Sequence, residues 1–145
     1  MANPTNGLSL AEAVTIATAA LAKAREGEMS PMAVAVLDAA GTIKCSQTED
    51  GAALMRPDIA YAKAWGCLGL GFSTRAMANL SQQAPALLNA FGGVSENRLI
   101  PSPGGVFIVR DGQVIGAVGV SGDHGDNDEV CSLAGIEAAG LEAKI

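Results

Sequence analysis

Lys63 is the residue whose type and setting most directly invite chemistry. It falls four residues after Ile59 and four before Cys67, so the three share one helical face. That face is apolar, and an ammonium there is costly unless it has a partner or lines a pocket. Two readings stand: a lysine snorkelling from the helix edge, or a charged group facing a site. Arg56 sits at the N-terminus of the same helix. The helix dipole disfavours a cation there, so its side chain is expected to reach toward an anion.

Two further constellations follow along the chain. Pro103-Gly104-Gly105 directly precedes a strand. It reads either as a turn needing positive φ or as a place where backbone amides approach a ligand closely. Ser121-Gly122-Asp123-His124-Gly125-Asp126-Asn127-Asp128-Glu129 gathers four carboxylates and the only histidine at a strand-to-helix junction. Asp126 and Glu129 fit a capping box for the following helix. That leaves Asp123, His124 and Asp128 without an assigned task, and His124 titrates in the physiological range. No metal is expected, because the spacing is not that of an EF-hand loop and there is no H-x-x-x-H pair. Nucleophile elbow, P-loop, dinucleotide fingerprint and zinc spacing are all lacking from the sequence. Any catalysis would be general acid–base work by Lys63, Arg56 and an acidic partner.

The elements that must hold these residues can be read from patterning. Residues 1–8 read as a loose leader. Ser9-Leu10-Ala11-Glu12 is a capping box, Leu10, Ala13, Val14, Ala17 and Leu21 make an apolar stripe, and Gly27 closes the helix at C′. Met32–Leu37 is an apolar run expected to be buried on both faces, and Thr42–Gln47 returns after the Ala39-Ala40-Gly41 turn. Pro57 and Asp58 suit the first turn of a second helix running to about Leu70. Ser73 starts a short third helix and Pro85–Phe91 forms a fourth. Gly92–Gly105 is then a long connection of the sort that is often functional. Val106–Arg110 and Gln113–Val120 flank Asp111-Gly112, a strong hairpin signal, and Asp126 opens the last helix. The fold class is α+β in one domain spanning 1–145: an antiparallel sheet of four or five strands from two hairpins, covered by helices at both termini and in the middle.

Composition narrows the classes. The chain has 145 residues, 49% hydrophobic and only 17% charged, enough for one core and far from the disordered regime. Its net charge of −6 argues against binding a phosphate backbone. Aromatics are only 3% while glycines number 18, so the core must pack small side chains closely. Cys45, Cys67 and Cys131 are scattered and read as buried free thiols. With no signal peptide and no membrane-spanning run, the protein is expected to be cytoplasmic.

In order and spacing, the segments SLAEAVTIATAALAKA, MAVAVLDAAGTIKC, MRPDIAYAKAWG, IPSPGGVFIVRDGQVIGAVGVSG and DNDE with its helix resemble the GlcG/HbpS-like family, over Leu8 to about Leu141. Its members occur alone, as secreted haem-binding proteins, and as the C-terminal domain of PduO-type corrinoid adenosyltransferases, and many stand in catabolic operons. The resemblance implies assembly into dimers or larger rings. It also implies a pocket bounded by Arg56, Lys63, Pro103, Gly104, Gly105, Ser121, Gly122, Asp128 and Glu129, beside Asp123 and His124. The expected function is binding of a small molecule, with haem or another tetrapyrrole as the family's candidate cofactor. The alternatives are a cofactor-independent isomerase, lyase or hydratase acting on a small anionic metabolite, and an oligomeric accessory protein without chemistry.

Overall fold

The computed structural model describes residues 7–145. The elements run α1 (Leu10–Glu26), β1 (Ala33–Asp38), β2 (Ile43–Thr48), α2 (Arg56–Leu70), α3 (Thr74–Gln83), α4 (Pro85–Val94), β3 (Gly105–Arg110), β4 (Gln113–Ser121), α5 (Gly125–Ala138) and β5 (Glu142–Lys144). The strands form one antiparallel sheet in the order β2-β1-β4-β3-β5. This is the expected α+β architecture, its fifth strand supplied by β5 after the last helix.

Side-chain alternation along the central strands sends residues to two different layers. Val34, Val36, Val106, Ile108, Val118 and Val120 join Ile16, Ala17 and Ala20 of α1 and Cys131 and Ile136 of α5 in the main core. Ala33, Ala35, Leu37, Phe107, Val109 and Ala117 face the other way, toward Ala60, Ala64 and Cys67 of α2. The two layers differ in residue size for a physical reason. A Cβ on Gly119 would overlap the carbonyl oxygen of Ala60, and one on Gly105 would lie 2.6 Å from the carbonyl oxygen of Lys63. At these two points α2 rests almost directly on sheet backbone, which glycine permits.

Local signals account for most boundaries. The Ser9–Glu12 capping box forms, and Ser73 accepts a hydrogen bond from the amide of Ala76. Asp111 and Gly112 both have positive φ, as a type I′ hairpin requires. Several details depart from expectation. Gly27 caps α1 with φ −84°, and the left-handed residue is Glu28. α4 runs on to Val94. Residues 1–6 of the expected leader lie outside the described residues, but Leu8 is not loose: it is 5% exposed and packs in the main core. Cys67 and Cys131 are buried free thiols, while Cys45 is half-buried because the edge strand β2 covers only one side. Burial pushes the Cys67 thiol up to about 12 and the Cys131 thiol to about 11, so neither is a reactive thiolate at neutral pH. Among the described residues, no helix is long and apolar enough to cross a membrane.

The close seating of α2 has a direct test. Gly119→Ala is expected to destabilise the protein by about 1–3 kcal/mol, the usual range for overpacking. Gly93→Ala, on an open part of α4 where a Cβ meets nothing within 4 Å, is expected to stabilise by about 0.5 kcal/mol. Urea unfolding measures both. Equal effects of the two substitutions would contradict this packing of α2.

Candidate functional site

The apolar setting of Lys63 is resolved by full enclosure. The side chain is 2% exposed, and its Nζ donates to the carbonyl oxygens of Pro103 at 2.9 Å and Val120 at 3.0 Å and to Oδ2 of Asp128 at 2.9 Å. An ammonium has three hydrogens, and all three are used. Asp128 is 1% exposed and receives the backbone amide of Asp123 on its other oxygen, at 2.9 Å. Burial pushes Lys63 below its ordinary value and Asp128 above its own, and each group's attraction for the other opposes that shift. Because every partner of Nζ is an acceptor, the hydrogen-bond pattern is that of the charged pair. Neither a snorkelling lysine nor a free base describes it.

The remaining nominated residues gather around this pair, and most are occupied by the protein itself. Arg56 Nη1 donates to Ser121 Oγ at 3.1 Å. Gly104 has φ +130°, and a Cβ there would come within 2.9 Å of Lys63 Nζ. Its carbonyl accepts from Ser132 Oγ at 2.6 Å. The amide of Gly105 donates to Thr74 Oγ1 at 2.7 Å. Gly122 is pressed on Pro31 and Met32. Gly104 has the positive φ of the turn reading, and both glycines of Pro103-Gly104-Gly105 pack closely on protein atoms.

The acidic stretch divides its tasks differently from expectation. Asp126 and Glu129 do not form a capping box. His124 is the N-cap of α5 and makes no side-chain cap. Arg75 of α3 instead draws both carboxylates, its Nε reaching the two oxygens of Glu129 at 3.0 and 3.1 Å and its Nη2 reaching Asp126. Asp123 locks the turn: it accepts the amides of Ser30 at 2.8 Å and His124 at 2.7 Å and the side-chain amide of Asn127 at 3.0 Å. Those donors hold its carboxyl far below the usual carboxylate range, the Ser30 amide contributing most. His124 is exposed, and among the described residues its ring makes no hydrogen bond.

A cavity of about 320 Å³ lies elsewhere, between α2, α4 and the strand-ward connection. It is lined by Trp65, Gly69, Leu70, Phe91, Val94, Ser95 and Leu99, all apolar except the one hydroxyl. Gly69 leaves the notch that the Trp65 ring fills, since a Cβ there would stand 3.0 Å from the ring. The Arg98 guanidinium lies over the same ring, 3.6 Å from its centroid, and itself lines a different cavity, with Asp58, Tyr61 and Ile100. The groove was absent from the sequence reading, as was Arg75. Arg75 carried the same signal as Arg56, a cation in the first turn of a helix. The sole tryptophan four residues before a glycine was the available sign of the groove.

Taken together, fold and site define a small α+β protein with a buried lysine–carboxylate hub and a separate apolar groove. The chain belongs to the family described as haem degrading protein HbpS-like, whose model matches residues 8–137. It is similar to the crystal structure of a PduOC:heme complex, with a TM-score of 0.84, 25% identity, and coverage of 94% of this chain and 97% of that one. It is 30% identical over 130 residues to a 15.0 kDa protein from the dhaT-dhaS intergenic region of Citrobacter freundii, covering 90% of each. It is 26% identical over 125 residues to the corrinoid adenosyltransferase PduO of Citrobacter freundii, covering 86% of this chain. The chain spans 37% of that enzyme's length.

Two outcomes are expected from the hub. Lys63→Met leaves Asp128 buried without its cation and is expected to cost about 3–5 kcal/mol, while adding Asp128→Leu restores much of it. Chemical denaturation of the single and double variants checks this, and a double variant no more stable than the single would contradict the pairing. Asp123, with its carboxyl depressed, contributes stability that is present above its ordinary value of 3.8 and is lost as pH falls below it. The stability gap between the parent chain and Asp123→Asn should therefore be widest near neutral pH and shrink below about pH 4. A gap independent of pH would show that the turn does not depend on the charged carboxylate.

Proposed function

We propose that this chain is a small-molecule-binding protein of the HbpS-like family, taking an apolar-faced ligand. Haem is the first ligand to try. The observation that carries the reading is the apolar groove under Trp65, Phe91 and Leu99. The likeness to a haem complex along nearly the whole chain supports it. A cavity of this size stands at the small end of the range for small-molecule sites.

The groove does not fit axial coordination of iron, since none of its lining residues carries an imidazole, thiol or thioether. Among the described residues no cluster of three or more His, Cys, Asp or Glu is placed to hold a metal ion. His124 is the chain's one imidazole and lies at the N-cap of α5. Binding on this reading rests on burial of an apolar face.

The acid–base alternative has less support. Lys63 would be its base, yet all three of its hydrogens are committed to protein acceptors in a buried pair. Placement in the cytoplasm and self-association through helix faces remain part of the proposal, with light scattering reading the oligomer.

Haemin titration followed by absorbance tests the reading. A saturable Soret shift reaching a fixed ratio of haemin to chain is the expected result. A change that grows linearly without saturation would overturn haem as the ligand.

A further inference from the structure

The arm that carries α3 and α4 has an uncharged and largely apolar surface. From Ala76 to Ser95 the sequence holds no Asp, Glu, Lys, Arg or His, although 17% of the chain is charged. Much of this arm faces water. Phe72, just before α3, is 45% exposed, Leu87 is 46% exposed and Val94 is 87% exposed. Leu88 is the one buried residue of α4. On the outward side Leu87, Ala90, Phe91 and Val94 fall at i, i+3, i+4 and i+7, the spacing of one helical face. Ala90 on that face is exposed and Phe91 is half-buried.

α4 is poorly supported without something on that face. At 10 residues it is shorter than a helix that persists alone in water, and such helices depend on packing an apolar side. Its N-terminus receives no side-chain cap, and it contains Gly92 and Gly93, which weaken a helix.

Charge decides what can cover the stripe. The chain has a net charge of −6, so two copies repel wherever their carboxylates meet. Residues 76–95 bring no carboxylate to such a meeting. A lipid surface is met by helices with lysines and arginines flanking the apolar face. α4 has none, and Arg75 before it is engaged by Asp126 and Glu129. A foreign protein is selected by complementary charge across the contact, and this face offers none to read. The stripe does match its own copy. Laid antiparallel across a two-fold axis, the small Ala90 of each copy meets Phe91 of the other, and Leu87 meets Val94.

We infer that the outward stripe of α4, formed by Leu87, Ala90, Phe91 and Val94, is the contact on which a second copy of this chain docks antiparallel. The inference rests on the self-association contained in the functional reading above and names its face. Phe91 and Val94 also line the Trp65 groove, so the second copy comes to lie beside the groove's outer wall.

Size-exclusion chromatography with light scattering tests the inference. The parent chain is expected as a dimer or a multiple of it. Val94→Glu, and separately Leu87→Lys, should each weaken association about tenfold or more, since each sets an unpaired charge against an apolar surface. Val94 is exposed enough that its substitution spares the fold. The double variant should associate more tightly than either single one, because antiparallel docking sets each new lysine against a new glutamate. Leu10→Glu, at a position 59% exposed on α1, should leave the mass unchanged. A monomeric parent chain, single variants of unchanged mass, a double variant weaker than both singles, or an equal loss of mass in Leu10→Glu would each overturn the inference. Capture of a monomeric parent chain by phosphatidylcholine vesicles would overturn it too, and assign the stripe to lipid. Haemin titration separates the two levels. A monomeric parent chain with saturable haemin uptake would keep haem as a ligand and refute this face. An assembly that Leu87→Lys breaks, with no haemin uptake by the parent chain, would keep the face and remove haem.

Discussion

The three hydrogen bonds of the Lys63 ammonium hold four separate parts of the chain together at one point. Through them α2 reaches the segment before β3 at Pro103, the end of β4 at Val120 and the first turn of α5 at Asp128. Since α2 and α5 lie on opposite faces of the sheet, the pair links the two layers around the sheet's end. A buried ion pair is weak evidence of net stability, because desolvation offsets much of the attraction. Its effect is on specificity: removing one partner strands the other, so alternative arrangements of these four segments are strongly disfavoured. The small residues follow from it. Gly104 must lack a Cβ to admit the ammonium, and Gly105 and Gly119 must lack one for α2 to come close enough to supply it.

That enclosure also separates two roles that the sequence merges. The residues with the most chemical character, Arg56, Lys63, Asp123, Asp128 and Glu129, spend it on one another, on Ser121 and Arg75 and on backbone groups. Opportunity for a ligand lies on the outer side of α2, where Trp65 and Phe91 line a groove. Aromatic residues are scarce, 3% of the chain, and two of the five lie together. The single Trp and one of three Phe are concentrated at one cavity.

Much of the fold was legible because it is local. The Ser9 box, the Asp111-Gly112 turn, the Ser73 cap and the apolar run of β1 carry their meaning within a few residues. β5 was not legible: Glu142-Ala143-Lys144 has no strand pattern of its own and pairs only because the edge of β3 is there. The Asp126–Glu129 box failed for a related reason, as a cation from α3, fifty residues earlier in the chain, outcompetes a local cap. The candidate site was half legible. Sequence spacing placed Lys63 on an apolar face, yet its three acceptors come from segments 40 to 65 residues away. The groove depends on where α4 comes to lie beside α2, which no short-range pattern encodes.

The central claim, a closed hub and a separate ligand groove, is tested most directly by two-dimensional amide correlation spectra during titration with 2-naphthoate. With one tryptophan in the chain, the indole signal is unambiguous. The account predicts saturable shifts at the Trp65 indole and at the amides of 91–99, with Gly104, Gly105, Gly122 and Asp128 unmoved. Shifts centred on those four residues with the Trp65 indole unchanged would contradict it.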